Sequence, residues 1–160
     1  MSSPRALELA DRLQQVNEEL MVFVQQCQPA AWRARCPEDG RSVGVVAHHI
    51  AASQLALAEL LTLLVNGEPV PTITGTMLDE NNAAHATRFH DCTAGEVMEL
   101  MRAGSQNVAD LIRQLDDEQL TRRATGEFVG AQLSAEELIQ HVLIGHAASH
   151  FRSIRAAMSA

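Results

Sequence analysis

Apolar residues recur along this chain at intervals of three and four, the spacing that gathers them on one face of an α-helix. The pattern predicts four long amphipathic helices and one shorter helix, and no stretch alternates as a strand would. The long helices are expected over about 4–27, 43–65, 94–115 and 135–155, and the shorter one over 77–89. Helices of this kind bury their apolar faces against one another. We therefore predict an all-α protein, a four-helix bundle with one extra short helix.

Capping residues mark where these helices begin. Ser42 precedes the second long helix, and the capping-box pattern, a Ser or Thr followed three residues later by Glu, occurs at 93–96 and 134–137. Such side chains bond to backbone amides that the first helical turn leaves free. Gly104 lies inside a predicted helix, where glycine costs about 1 kcal/mol relative to alanine. We therefore expect another element to approach closely at that position.

Two stretches between the helices lack the helical pattern. Residues 28–41 contain two prolines and Gly40, so we expect a break there with one short turn near Trp32. Residues 116–130 are expected to form a loop.

Composition narrows the classes of protein to consider. The 160 residues suffice for one domain, 1–160, with its own core. The net charge is −8 and every cationic side chain is an arginine, which disfavours nucleic-acid binding and excludes Schiff-base chemistry on lysine. The three cysteines show no Cys-x-x-Cys spacing, which favours a reducing, cytoplasmic environment. The chain does not begin with the apolar segment of a signal peptide, and the apolar run at 55–65 is too short to cross a bilayer, so we expect no membrane association.

The last predicted helix carries two histidines inside its apolar face. His146 and His150 are four residues apart, so their rings lie one above the other on the same side of the helix. The apolar residues on that side are Ile139, Leu143 and Ile154. Buried imidazoles are unfavourable unless they bond to a partner or to a metal. A third inward histidine would make a metal site, and the best candidate is His49.

His49 lies on the second long helix, on a face that turns polar at His49 and Ser53. His48 is rotated from it by about 100°, so only one of the two is expected to point squarely inward, and the pattern favours His49. The remaining histidines are expected at the surface: His85, His90 and His141. A lone histidine is more often a surface or hydrogen-bonded core residue than a ligand. A structural module whose histidines hold no metal is therefore an open alternative.

The amino-acid sequence excludes several other kinds of metal site. A di-iron carboxylate bundle needs two Glu-x-x-His pairs, and none occurs. A zinc site built from thiols needs clustered cysteines, which are also missing. The histidine pair lacks the adjacent Glu of a His-Glu-x-x-His metalloprotease. No acidic residue lies one helical turn from the three histidines on their faces, so no side chain is expected to act as general base.

These motifs together resemble DinB-like proteins. The segment Arg-Ser-Val-Gly-Val-Val-Ala-His-His-Ile at 41–50 is similar to the Trp-Ser-x-x-Glu-x-x-x-His-Leu pattern that opens the second helix of this superfamily. The segment His-Ala-Ala-Ser-His at 146–150 resembles the pair on its last helix. Its middle section resembles 78–82, 93–96 and 115–120. The chain departs from the pattern at Arg41, in place of Trp, and at Val45, in place of the acidic residue.

The superfamily includes YfiT-like metal-dependent hydrolases, bacillithiol and mycothiol S-transferases, and mycothiol-dependent maleylpyruvate isomerase. The resemblance implies that His49, His146 and His150 hold a divalent metal, and imidazole ligands suit zinc or nickel. Three protein ligands leave a position open, either for water in a hydrolase or for a low-molecular-weight thiol that is transferred to an electrophile in stress response or detoxification. The resemblance also implies a homodimer. Candidate polar residues around the site are Ser53, Asn82 and Ser149. The alternative is a non-catalytic bundle of the same family that binds a metal or another ligand.

Overall fold

The structure is a computed structural model that describes residues 1–159. The segments with helical spacing of apolar residues, and the stretches between them, form seven helices in this range. In that range the helices are α1 (Pro4–Gln26), α2 (Pro29–Arg33), α3 (Val43–Val65), α4 (Gly75–Arg88), α5 (Ala94–Arg113), α6 (Asp117–Thr121) and α7 (135–158). Helix α7 has three consecutive pieces, an α-helical turn at Ala135–Glu137, a π-helical segment at Leu138–Ile144 and an α-helix at Gly145–Met158. Residues 1–159 form no strand. The prediction of an all-α four-helix bundle with an extra short helix, α4, is confirmed.

The predicted capping residues begin their helices. Ser42 Oγ accepts a hydrogen bond from the N–H of Val45 at 3.2 Å, which starts α3. The two predicted capping boxes, at 93–96 and 134–137, each make both reciprocal bonds, which start α5 and α7. Local hydrogen bonding that is visible in the sequence therefore sets the starts of three of the long helices.

The core consists of two clusters along the bundle. Helix α1 packs on α5, while α3 packs on both α5 and α7. The first cluster contains Leu13, Leu61, Ile112 and Ile139, and the second contains Leu20, Ile50, Met101 and Ile154. Between the clusters, the buried amides of Asn17 and Gln54 bond reciprocally at 2.9 and 2.6 Å, so both polar groups are satisfied. His49 precedes Ile50 and so lies at the second cluster.

The stretches between the long helices contain two short helices. Helix α2 begins at Pro29, whose fixed φ suits a first helical turn, and includes Trp32, where a turn was expected. Helix α6 follows Asp116, which forms a capping box with Gln119. The prediction of a loop over 116–130 was therefore wrong at Asp117–Thr121, because Asp116 caps a helix as a serine or threonine would.

Helix α7 changes its winding just before the histidine pair. The N–H of Gly145 bonds to the carbonyl of Gln140, five residues back instead of four. A Cβ at position 145 would lie 3.4 Å from that carbonyl oxygen, which is an ordinary van der Waals contact. The sequence predicted a regular α-helix over this segment. π segments of this kind occur frequently at functional sites, and His146 and His150 follow it directly.

Helix α3 is long and apolar enough to cross a membrane by length and composition alone, with a mean hydropathy of 1.3 in its most apolar window. The sequence prediction considered only the apolar run at 55–65, which is too short to cross a bilayer. The complete helix, Val43–Val65, meets the criteria of length and composition. Half of that window is buried inside the bundle, and α3 also buries the polar side chains of His48, His49 and Gln54. A helix that is apolar on several sides is expected at the centre of a bundle, and this burial identifies α3 as such a core helix.

Two glycines allow close packing between helices, and their substitutions should differ in effect. A Cβ at Gly44 would lie 2.4 Å from Nε1 of Trp32, whose indole N–H donates to the carbonyl of Cys92 at 2.9 Å. A Cβ at Gly104 would lie 2.6 Å from Cδ2 of Leu55, the mobile end of a side chain that is 37% exposed. The close approach predicted at Gly104 is thus confirmed.

We expect Gly44→Ala to lower the free energy of unfolding by about 1–3 kcal/mol, because the indole must move and its hydrogen bond weakens. Gly104→Ala should change it by less than about 1 kcal/mol, because Leu55 can rotate away and alanine favours the helix. Urea denaturation of both variants measures this difference. Equal losses in the two variants would contradict the packing described for Trp32.

Candidate metal centre

The three histidines predicted as ligands meet between α3 and α7. Nε2 of His146 lies 3.0 Å from Nε2 of His49 and 3.0 Å from Nε2 of His150. One ring nitrogen from each residue lies within 4.8 Å of the others, so the set is able to hold one metal ion. The structure thus places His49 beside the pair on the last helix, and its role as a metal ligand stays a prediction.

Local structure explains this convergence. His146 and His150 are one turn apart in the α-helical part of α7, so their rings stand side by side, with centroids 4.3 Å apart. His49 enters from α3, the helix that packs on α7, and is only 6% exposed. His146 and His150 are half-buried. The site is therefore closed on the α3 side and reachable from the α7 side.

Hydrogen bonding within the trio does not satisfy all three nitrogens. A neutral imidazole nitrogen is either a donor or an acceptor, and Nε2 of His146 has two nitrogen neighbours at 3.0 Å. A donating N–H or an accepting lone pair serves one of those contacts well and leaves the other without a bond. A shared cation serves all three lone pairs together. Tetrahedral zinc with bonds of about 2.0–2.1 Å needs ligand nitrogens about 3.4 Å apart, and two of the three pairs of ring nitrogens lie 3.0 Å apart.

The surroundings keep these imidazoles neutral. Burial, followed by the charges of His146, His150, Arg41 and His85, lowers the pKa of His49 from 6.5 to about 2. Burial, followed by the charges of His150 and Arg41, lowers the pKa of His146 to about 4. The pKa of His150 is also lowered, mainly by burial. At neutral pH the three rings therefore carry lone pairs, which is the form that a metal requires.

The three polar residues predicted around the site occupy different positions. Ser53 Oγ lies 3.4 Å from Nδ1 of His49, one turn along α3. An Nδ1–H directed at Ser53 leaves Nε2 of His49 free to face the other two histidines. Asn82 is half-buried on α4 and Ser149 is exposed on α7, and neither hydrogen-bonds to the three histidines within residues 1–159. Their place around a ligand stays a prediction.

A second histidine pair borders the first three. Nδ1 of His48 lies 2.8 Å from Nε2 of His85, and the ring of His48 stacks on Phe89 at a centroid distance of 3.9 Å. His85 also contacts His49, with ring centroids 5.3 Å apart. Its own Nδ1 is buried and has no hydrogen-bond partner within residues 1–159. These residues join α4 to the α3 side of the site.

Two sequence predictions are therefore corrected. His48 is buried at 5% exposure beside His49 at 6%, so both neighbours face packed surroundings and not only one. His85, expected at the surface, is half-buried. Helix α4 lies against α3 and covers the side that His48 occupies, which the period of α3 alone does not reveal. The spacing of four between His85 and Phe89 is the signal in the sequence that marks this second contact face. His90 and His141 are exposed, as predicted.

Comparison with known proteins identifies the family and the fold. The family model of the DinB superfamily matches residues 12–154. The fold is similar to YfiT from Bacillus subtilis, described as a probable metal-dependent hydrolase with an unusual four-helix bundle topology, with a TM-score of 0.80 and 18% identity over 99% of this chain and 89% of that chain. It is also similar to an uncharacterized protein from Clostridium difficile 630, with a TM-score of 0.73 and 14% identity over 99% of this chain and 98% of that chain. No curated protein matches the sequence. With the family pattern extending across nearly all of its helices, the chain belongs to the DinB superfamily.

Proposed function

We propose that this protein is a metal-dependent enzyme whose ion is held by His49, His146 and His150. The observation that supports this most strongly is the meeting of three Nε2 atoms, with 3.0 Å contacts that no arrangement of protons on them satisfies fully. The three residues hold zinc or nickel, both of which suit imidazole ligands. With only three protein ligands, the site keeps a position for a substrate.

The reaction we propose is the transfer of a low-molecular-weight thiol to an electrophile. A divalent ion held there supplies Lewis acidity, which lowers the pKa of a coordinated water or thiol. No carboxylate hydrogen-bonds to the three histidines in the described part of the chain. A thiol is already more acidic than water, so its deprotonation depends less on a base supplied by the protein. Buried His49 excludes bulk water from one side of the reacting atoms.

Metal-dependent hydrolysis is the second candidate, and the similarity to YfiT supports it. A third candidate is a bundle of the same family that binds a metal or ligand without catalysis, and the replacement of the acidic pattern residue by Val45 supports it. We further propose a cytoplasmic protein that acts in stress response or detoxification as a homodimer. Its cysteines at positions 27, 36 and 92 are free thiols, which is compatible with a reducing compartment.

An assay of untagged, zinc- or nickel-loaded protein separates these candidates. Glutathione, bacillithiol, mycothiol and coenzyme A are each offered with monochlorobimane, and nitrophenyl acetate is offered without thiol. We expect one thiol to react at least about 100-fold faster than it does without protein, which is a modest acceleration for an enzyme. Hydrolysis without thiol would favour the second candidate, and metal binding without either reaction would favour the third.

Matched histidine variants connect the activity to the site. His150→Ala should reduce the thiol-transfer rate at least about 100-fold because one of three ligands is lost. His141→Ala changes an exposed histidine on the same helix and should retain the rate within about twofold, as expected for a surface substitution. Equal losses in both variants, or full activity of His150→Ala, would contradict the proposed site.

A further inference from the structure

A cavity of about 380 Å³ lies between α2, the start of α3 and the end of α4. Its lining includes Val45, one helical turn before His49, and Ala86, which follows His85 directly. Three arginines also line it, Arg33, Arg35 and Arg41. The cavity therefore begins about one helical turn from His49, although none of the three histidines lines it.

Arg41 is fixed in the wall of this cavity. Its Nε donates to Oδ2 of Asp39 at 2.6 Å, and its backbone N–H donates to Oδ1 of the same carboxylate at 3.0 Å. The side chain is 15% exposed, and its Nη1 is buried without a hydrogen-bond partner within residues 1–159. A buried N–H of a charged group without an acceptor is unfavourable. The guanidinium is thus held in place in the cavity wall, with Nε engaged by Asp39 and Nη1 lacking an acceptor.

The charge around the cavity is positive, although the net charge of the chain is −8. The carboxylate of Asp39 is already bonded to Arg41, and that of Asp91 lies 2.9 Å from Nε2 of His90. Arg33 has no acidic partner among residues 1–159, and Arg35 donates to the backbone carbonyl of Gly40 at 3.1 Å. With three guanidinium groups against two carboxylates, the lining carries a net positive charge.

Arg41 is also electrostatically connected to the histidines. Its positive charge contributes to the lowered pKa of His49, His85, His146 and His150. A charge that acts on all four rings lies near the place where they meet.

We propose that Arg41 is the anchor of a carboxylate-binding subsite beside the histidine trio, and that the substrate of this protein carries a carboxylate. Guanidinium N–H groups form strong, charge-assisted hydrogen bonds with carboxylates. Asp39 orients the guanidinium of Arg41, so little freedom is lost when the anion binds. The statement about the substrate rests on the proposed function of the neighbouring site, whereas the binding of a carboxylate does not.

Trp32 makes the test direct. It lines the cavity and is the only tryptophan in a chain without tyrosine, so its fluorescence reports on this cavity alone. Metal-free and cobalt-loaded protein are titrated with 3-mercaptopropionate and with 3-mercaptopropanamide at constant ionic strength. The two probes differ only in the carboxylate. In the cobalt-loaded protein, the thiolate-to-cobalt absorption band gives an independent measure of binding.

We expect the acid to bind at least about tenfold more tightly than the amide, as is typical of a charge-assisted hydrogen bond. Arg41→Gln should remove this preference while leaving the affinity for the amide within about twofold. Arg102→Gln removes an equal charge from an exposed position on α5, outside the lining of the cavity, and should retain the preference. Circular dichroism verifies folding. Should the glutamine variant not fold, Arg41→Lys keeps the charge without the guanidinium, and the preference should fall at least about threefold.

Equal affinities of the native protein for acid and amide would overturn the subsite, as would an unchanged preference in Arg41→Gln or Arg41→Lys. The two proposals fail in different ways. If the protein takes up no cobalt while Trp32 still reports the preference, the proposed function fails and the subsite stands. If the cobalt–thiolate band forms equally with both probes, the histidine site stands and the carboxylate subsite fails.

Discussion

Replacing His49 with alanine should abolish stoichiometric metal binding, with a loss of affinity well above the roughly 10–100-fold typical for changes to residues that only support a ligand. In the proposed site His49 is the ligand from α3, and its Nε2 lies 3.0 Å from that of His146. Without His49, only the two ring nitrogens of His146 and His150, both on α7, are left to bind a metal. Competition with a chelating indicator dye, using zinc and nickel, measures this loss on untagged protein.

The matched control is His48→Ala, the neighbouring residue in α3. His48 is as deeply buried as His49, but its Nδ1 faces His85 and not the trio. We expect this variant to bind metal within about threefold of the native affinity, as a change outside the ligand set. Loss of metal in His48→Ala with retention in His49→Ala would show that α3 presents the other face to the ion.

The metal-free protein should lose stability steeply when the pH falls from 6.5 towards 4. In the unfolded chain a histidine has its ordinary pKa of 6.5, whereas in the folded protein the pKa is about 2 for His49 and about 4 for His146. Between these values the unfolded state binds more protons, so acid favours unfolding. The stability is fully present above pH 6.5. The contribution of His146 is lost by about pH 4, and that of His49 continues to fall below it.

The expected magnitude follows from the linkage between protonation and folding. Each pH unit in this window costs about 1.4 kcal/mol per histidine that stays neutral in the folded state. His49 alone therefore lowers the free energy of unfolding by about 3 kcal/mol between pH 6.5 and 4. Urea denaturation at a series of pH values measures the slope in metal-free protein.

The variant His49→Gln gives the control for this pH dependence. Glutamine does not titrate, so the slope between pH 6.5 and 4 should become shallower by about 1.4 kcal/mol per pH unit. A native slope near zero, or the same slope in the variant, would show that His49 is not held neutral by its surroundings.

The parts of this structure that were predictable are those that depend on neighbours in the sequence. The start of α5 follows from the Thr-x-x-Glu pattern at 93–96, and the start of α7 from the Ser-x-x-Glu pattern at 134–137. His146 and His150 share a face because they are four residues apart. The approach of His49 was predictable because its face of α3 turns polar where a facing helix also presents histidines.

The parts that were missed depend on packing between distant elements. The burial of His85 depends on how α4 lies across α3, and no periodic pattern on either helix alone specifies that contact. Arg41 lies in the segment before α3, where the position of a guanidinium is set by Asp39 and not by a helical period. The π segment before His146 changes hydrogen bonds along the backbone without changing the apolar spacing that a sequence displays.

The most direct test of the metal centre is anomalous X-ray scattering from crystals of the untagged protein, recorded at the zinc and nickel absorption edges. One ion per chain should appear, bonded at about 2.0–2.1 Å to Nε2 of His49, His146 and His150. Metal at full occupancy elsewhere in the chain, or no anomalous peak among these three rings after zinc and nickel have been supplied, would contradict the assignment.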